Sequence, residues 1–187
     1  MRYLFLLTAF VFTAATSFAQ DNKEVIFKEN PDAALDQFNS YYFGNNMIDI
    51  EENEWYTFGR LHSKMVQNSI VHEFDTYGYE LAPEKPDVLV NYMIFDKEYN
   101  DKYGSYKDAY IVEEGEVDEN ILLQLEDGSL VVSIINPENG KTAWVGYVPD
   151  AIDPNDGLRQ QQIDIRASIA DVLEAYIGSA NFDESSY

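Results

Sequence analysis

Two histidines, His62 and His72, and an acidic segment rich in tyrosine are the residues of this chain whose types could do chemistry. Histidine titrates near neutrality, with an unperturbed pKa of about 6.5, so it is the usual general base or metal ligand. Glu73 follows His72, but a zinc-protease helix needs a second histidine three residues beyond that glutamate, and Thr76 stands there. Ten positions separate the two histidines, which puts them on different sides of one helix. Both then read as solvated or boundary side chains rather than ligands. The chain has no G-x-S-x-G elbow and no glycine-rich phosphate loop. With no cysteine, it has no disulfide, no thiolate metal site and no Cys nucleophile.

Calcium merits a test, because 34 Asp and Glu stand against 12 Lys and Arg. An EF-hand loop needs acidic or amide side chains at its first, third and fifth positions, then Gly, with Glu at the twelfth. Around Gly157 those positions hold Ile152, Pro154 and Asp156, and the twelfth is Ile163. Asp96, Glu98 and Asn100 fit better, but Asp101 occupies the glycine position. Neither is an EF-hand. Paired carboxylates are too abundant to single out a glycosidase pair. What remains is the excursion from Asp96 to Asn120, where Tyr99, Tyr103, Tyr106 and Tyr110 recur among Asp, Glu and Lys. Its functional reading is a ligand platform, with an irregular cation site as a companion. Its plain reading is rings covering a sheet edge. Trp144, in "KTAWVGY", poses the same choice. Gly146 on the same strand face makes room for a large ring, so Trp144 is expected in the core beneath a helix.

The elements that would position these residues follow from periodicity. "SYYF", Ser40 to Phe43, reads as a short strand. Phe58, Leu61, Met65, Val66, Ile70, Phe74 and Tyr77 make one helical face over Glu54 to Tyr77. Asn53 is the expected N-cap, and Gly78 the left-handed stop with Tyr79 as its apolar contact. Val88 to Phe95 is apolar on both alternating faces, so that strand is expected to be central and covered on both sides. A short strand is expected at Ala109 to Val112. Ile121 to Glu126, Ser129 to Asn136 and Lys141 to Val148 read as an antiparallel meander. Asp127-Gly128 and Asn139-Gly140 are its expected type I′ turns. A final helix spans Leu158 to Ile177 and stops at Gly178. Two amphipathic helices need a sheet face. The expected fold is α+β: a two-layer sandwich with a mainly antiparallel sheet of about five strands and two long helices on one face.

Residues 1–19 read as a signal peptide: Arg2, a short apolar core, then small residues ending at Ser17-Phe18-Ala19. The apolar core is shorter than the roughly 20 residues a membrane span needs. Cleavage after Ala19 leaves 11 basic and 34 acidic residues, a net of −23. Residues 20–35 read as a flexible lead-in, 36–178 as one domain and 179–187 as a disordered tail. The charge of −22 on the whole chain repels phosphate backbones and anionic headgroups, so nucleic acid is a poor partner.

Taken in order, these pieces resemble the bacterial domain-of-unknown-function family 4136, found in secreted and lipoprotein-type envelope proteins of Gram-negative bacteria. The resemblance rests on Tyr41-Tyr42-Phe43, the helix ending in Phe74 and Gly78-Tyr79, and "KPDVLVNY" with its Pro-Asp before an apolar strand. It continues through "GSLVVSIINPENGKTAWVGY" and the closing helix from Ile163 to Ile177, about Gln37 to Ile177 in all. Two departures stand out. Many relatives carry a lipobox cysteine, and here Gln20 follows the cleavage site with no cysteine anywhere, so no lipid anchor is implied. Asn136 replaces the family's Asp before Pro137. The family has no established activity, so no catalytic residue carries over. The expectation is therefore a periplasmic or secreted, non-enzymatic envelope protein. It would act as a binding or accessory module for an envelope protein or small ligand, with no cofactor and no transmembrane span. The alternative is a divalent-cation or small-ligand domain using the tyrosine-rich segment 96–120.

Overall fold

The computed structural model describes residues 23–30, 38–44, 58–98, 101 and 125–182. Strands β1 (Ile26–Glu29), β2 (Ser40–Phe43), β3 (Glu80–Leu81), β4 (Val88–Ile94), β5 (Leu130–Ile135) and β6 (Thr142–Val148) form one sheet in the order β1-β6-β5-β4-β2-β3. The pairs β1·β6, β6·β5 and β5·β4 are antiparallel, and β4·β2 and β2·β3 are parallel. Helices α1 (Arg60–Thr76) and α2 (Leu158–Phe182) complete the α+β fold. The sheet has six strands rather than five: Ile26–Glu29 of the lead-in pairs with β6 and Glu80–Leu81 with β2, while the strand expected at 121–126 is not one of the six.

Alternation decides which side chains face the helices. Val88, Val90, Tyr92 and Ile94 of β4, Leu130, Val132 and Ile134 of β5, and Trp144 and Val148 of β6 share one buried cluster. Val66, Ile70 and Phe74 of α1 and Ile165, Ile169, Val172, Leu173 and Tyr176 of α2 complete it. The opposite face carries a second buried cluster of Met93, Phe95, Leu125, Val131, Val145 and Tyr147. β4 is thus buried on both sides, as its doubly apolar pattern requires. No helix among the described residues is long and apolar enough to cross a membrane.

α1 begins behind Gly59, whose carbonyl accepts from the His62 and Ser63 amides, rather than at Glu54 behind Asn53. Phe58 is turned into the core and packs edge-on against His62, which fixes the entry. Asn53 itself lies outside the described residues. The C-terminus closes as the spacing demands. Gly78 adopts φ +84°, its N–H reaches the Asp75 carbonyl, and the Tyr79 N–H reaches Phe74 at 2.9 Å. The Tyr79 and Phe74 rings then meet edge-on, completing a Schellman motif. Gly178 behaves differently. It takes no positive φ, and α2 runs through it to Phe182, into the expected tail. A glycine inside a helix costs only about 1 kcal/mol, which packing of a long helix offsets.

Both turn types also differ from expectation. Type I′ needs positive φ at both central residues. Only Gly128 and Gly140 have it, and not Asp127 or Asn139. The 126–129 turn, closed by Ser129 N–H to the Glu126 carbonyl, therefore has the type II pattern. The β5–β6 connection is a four-residue loop, in which Asn136 donates to the Lys141 carbonyl and Gly140 to that of Asn136. The Asn136 and Asn139 side chains accept from the amides of Glu138 and Lys141 and hold that loop in place. The place beside β5 expected for the 121–126 strand is taken by β4. Leu125 and Glu126 are not in a strand, and residues 121–124 and 109–112 lie outside the described residues.

The parallel β2·β4 pair is pinned at its start by Asp87. Its carboxylate accepts from the Asn39 N–H, the Ser40 N–H and the Ser40 hydroxyl at 2.8–2.9 Å. Those hydrogen bonds hold the Asp87 carboxyl below the usual carboxylate range. The Pro-Asp before this strand thus has a structural cause. At the other end of the sheet Lys23 donates to the carbonyls of Asp150 and Ala151 at 2.7 and 2.9 Å, tying the lead-in to the β6–α2 loop.

Candidate functional site

The chemistry-bearing residues fall in three places. The first is the seam between the helices. α1 and α2 run side by side in the same direction, with His62 beside Gln161 at one end and Tyr79 near Tyr176, both against Phe38, at the other. The Gln161 amide nitrogen donates to the carbonyls of Asp153 and Pro154, so its oxygen faces His62 Nε2 at 2.8 Å. That oxygen can only accept, so Nε2 carries the proton. Nδ1 is buried with no hydrogen-bond partner among the described residues. His72 lies on the outer side of α1, where its Nε2 meets Arg166 of α2 at 2.7 Å. Arginine only donates, so there Nε2 is the acceptor. The two histidines therefore clasp α1 to α2 with opposite tautomers. Tyr92 of β4 adds a sheet-to-helix tie, its hydroxyl bonded to the Ser63 hydroxyl at 2.7 Å.

The second place is Trp144. Its indole is 2% exposed and lies over the bare backbone of Gly146. Tyr176 of α2 covers it at 5.2 Å, and Phe27 of β1 stacks on it at 5.9 Å. Trp144 is a core residue beneath a helix, as the Trp-x-Gly spacing implies. Its Nε1 has no hydrogen-bond partner among the described residues. Around Tyr176 the packing is aromatic in both directions, through Phe38 and Tyr79 to Phe74 and Tyr41. Burial pushes the Tyr41 hydroxyl up to about 12 and that of Tyr176 higher still.

The third place is the start of the tyrosine-rich segment. Lys97, Glu98, Asp101 and Asp127 line an open depression of about 500 Å³. The Lys97 N–H donates to the Asp127 carboxylate at 2.6 Å, joining the segment's start to the 126–129 turn. The four tyrosines singled out above, Tyr99, Tyr103, Tyr106 and Tyr110, lie outside the described residues. Among the described residues no three of His, Asp and Glu come together as a metal-holding group. The His62–Gln161 contact had no local signal, because its partners are 99 positions apart.

Residues 26–176 match the family model of a domain of unknown function, DUF4136. The chain belongs to that family. The match begins at β1 and ends at Tyr176, so it takes in the whole sheet, all of α1 and α2 as far as Tyr176. Among curated proteins none matches. Among solved structures, this DUF4136 chain is similar to the protein of the PelC dodecamer from Paraburkholderia phytofirmans. The two share 12% identity with a TM-score of 0.37, over 80% of this chain and 96% of that one. It is also similar to a PDZ domain protein from Parabacteroides distasonis, at 15% identity and a TM-score of 0.46. That likeness covers 88% of this chain and 36% of the other, so the DUF4136 chain spans about a third of that protein.

Proposed function

We propose that this DUF4136 domain is an exported, non-enzymatic envelope protein that acts as a binding or accessory module. The observation that carries the reading is the engagement of both histidines. The two side chains best suited to acid–base work at neutral pH are used to clasp α1 to α2, and one of them is buried. The signal-type segment at residues 1–19 supports export. The charge of −22 supports a basic partner over an acidic one. Fractionation with N-terminal sequencing tests export: Gln20 at the start of a chain found outside the cytoplasm is expected, and a cytoplasmic chain keeping Met1 refutes it. Affinity capture from an envelope extract tests the binding role, which fails if no partner is recovered reproducibly.

A second reading, a divalent-cation or small-ligand site in segment 96–120, is favoured by the depression at Lys97, Glu98, Asp101 and Asp127. A ligand at a hundred times its dissociation constant adds about 2.7 kcal/mol of stability. A thermal-shift series with calcium, magnesium and envelope metabolites would show it. The absence of any shift across the series rejects the site.

A further inference from the structure

Strand β1 ends the sheet, and among the described residues no strand lies beyond it. Its free side can be read from the ladder. Asn30 stands opposite Ala143 and donates to its carbonyl at 2.8 Å. Bonded and non-bonded pairs alternate in an antiparallel ladder. Ile26 and Lys28 therefore bond to Tyr147 and Val145, their register partners, while the backbone N–H and C=O groups of Phe27 and Glu29 point away from β6. Beside them the Phe27 ring is 47% exposed, with its inner face on Trp144. Unpaired backbone groups two residues apart, flanked by an apolar ring, are what an added strand requires. The opposite edge, β3, has only two residues.

Charge selects the occupant. Two copies of a chain at −22 repel one another. A basic strand meets the opposite net charge of the chain, and the exposed Glu24 and Glu29 offer it carboxylates on either side of the exposed Lys28. Resting on the binding-module reading above, we propose that β1 docks an extended, basic polypeptide segment of another envelope protein. The segment adds as a seventh strand, bonded to Phe27 and Glu29, with an apolar side chain set on the Phe27 ring.

The test uses the processed full chain and the peptide Lys-Val-Lys-Phe-Lys-Val-Lys-Val. Saturating peptide is expected to slow amide hydrogen exchange at Phe27 and Glu29 at least tenfold. Glu29→Pro removes an N–H that β6 does not use, so β1 should stay paired and the unfolding midpoint unchanged while affinity falls at least tenfold. A peptide of equal charge with prolines in place of the valines should bind at least tenfold more weakly. Unchanged exchange at the two amides, or equal binding by the proline peptide, overturns the proposal even if Glu29→Pro fails to fold. A dimer of the chain alone that Glu29→Pro abolishes makes the occupant a second copy and also overturns it. Capture of an envelope partner that Glu29→Pro retains removes the edge site and leaves the binding role standing. No partner for the unaltered chain removes the binding role, and the exchange result still judges the edge.

Discussion

Gly146→Ala is the sharpest test of how Trp144 is held. A Cβ at position 146 would lie 2.7 and 2.8 Å from Cζ3 and Cζ2 of the indole, and nearer still to Cη2. Ordinary contact between carbons is about 3.5–4.0 Å, so the ring must retreat by about 1 Å or more. It has little room to do so, because Tyr176 lies 5.2 Å away on the helix side and Phe27 stacks at 5.9 Å on the other. Overpacking a filled core costs about 1–3 kcal/mol, and a rigid, fully buried ring belongs at the upper end. Replacing a glycine returns about 0.4–1 kcal/mol by narrowing the unfolded ensemble. The net is a loss of about 2 kcal/mol. For a chain of this size that lowers the melting temperature by about 4–8 °C. Urea unfolding followed by far-ultraviolet circular dichroism measures it, and Gly146→Ala in a Trp144→Leu background supplies the control. With the indole gone the alanine should be neutral or stabilising, giving a coupling of about 2 kcal/mol between the two sites. A single Gly146→Ala variant within about 0.5 kcal/mol of the unaltered protein, or a coupling near zero on the same scale of error, would refute the account of the close approach.

Three further outcomes follow from the polar ties. Asp87→Asn weakens three hydrogen bonds to Asn39 and Ser40; with solvent screening at this exposed site the cost is about 1 kcal/mol. Because the Asp87 carboxyl is held below its ordinary value of 3.8, its contribution is complete above that pH and is lost as pH falls through the lowered value, so acid unfolding of Asp87→Asn should lack that component. Gln161→Met strands the buried His62 Nε2–H and should cost about 2–3 kcal/mol by denaturant unfolding; imidazole nitrogen spectra of the unaltered chain should show the Nε2–H tautomer at His62, and the other tautomer rejects the clasp. Tyr41, with its hydroxyl pushed up to about 12, holds its proton in the fold after the unfolded chain has lost it near 10, so stability falls as pH rises between those values and Tyr41→Phe should flatten that fall.

How much of this was legible in the residues depends on whether the cause was local. Ser40–Phe43 and Val88–Ile94 are strands because aromatic and β-branched runs suit a pleated surface, and both were readable as such. Gly78 and Tyr79 close α1 through contacts within six residues, so the motif was visible in the chain. Ile26–Glu29 was not. Its four residues carry one apolar and one aromatic side chain before two charges, a weak pattern that becomes a strand only because β6 offers a partner some 120 positions away. Gly178 was misread for the complementary reason. The same residue type that stops α1 is carried through α2, and only the φ that the surroundings allow separates the two outcomes. The turns show a third case. Asp-Gly and Asn-Gly marked where the chain reverses, but Gly128 packs against the Ile152 carbonyl and Asn136 holds its loop through its own side chain, and those contacts set the turn type.

The same distinction bears on where function should be sought. Trp144, the one described aromatic residue weighed as a ligand platform, is built into the layer between sheet and helices, where Tyr176, Phe38, Phe74 and Tyr41 are buried with it. A core this rich in rings leaves few of them free for recognition. Among the described residues Phe27 and Tyr77 are the exposed aromatics, and Phe27 sits on the terminal strand, keeping one face in solvent while the other completes the stack on Trp144. Its exposure follows from topology and not from its own sequence context. In a six-stranded sheet ordered β1-β6-β5-β4-β2-β3, the strand that enters first lies at the rim, and its outward amides are those of Phe27 and Glu29. Binding by strand addition uses backbone groups, which leave no motif. A domain of this kind can therefore carry a specific docking edge while its sequence shows no recognisable catalytic or ligand-binding signature.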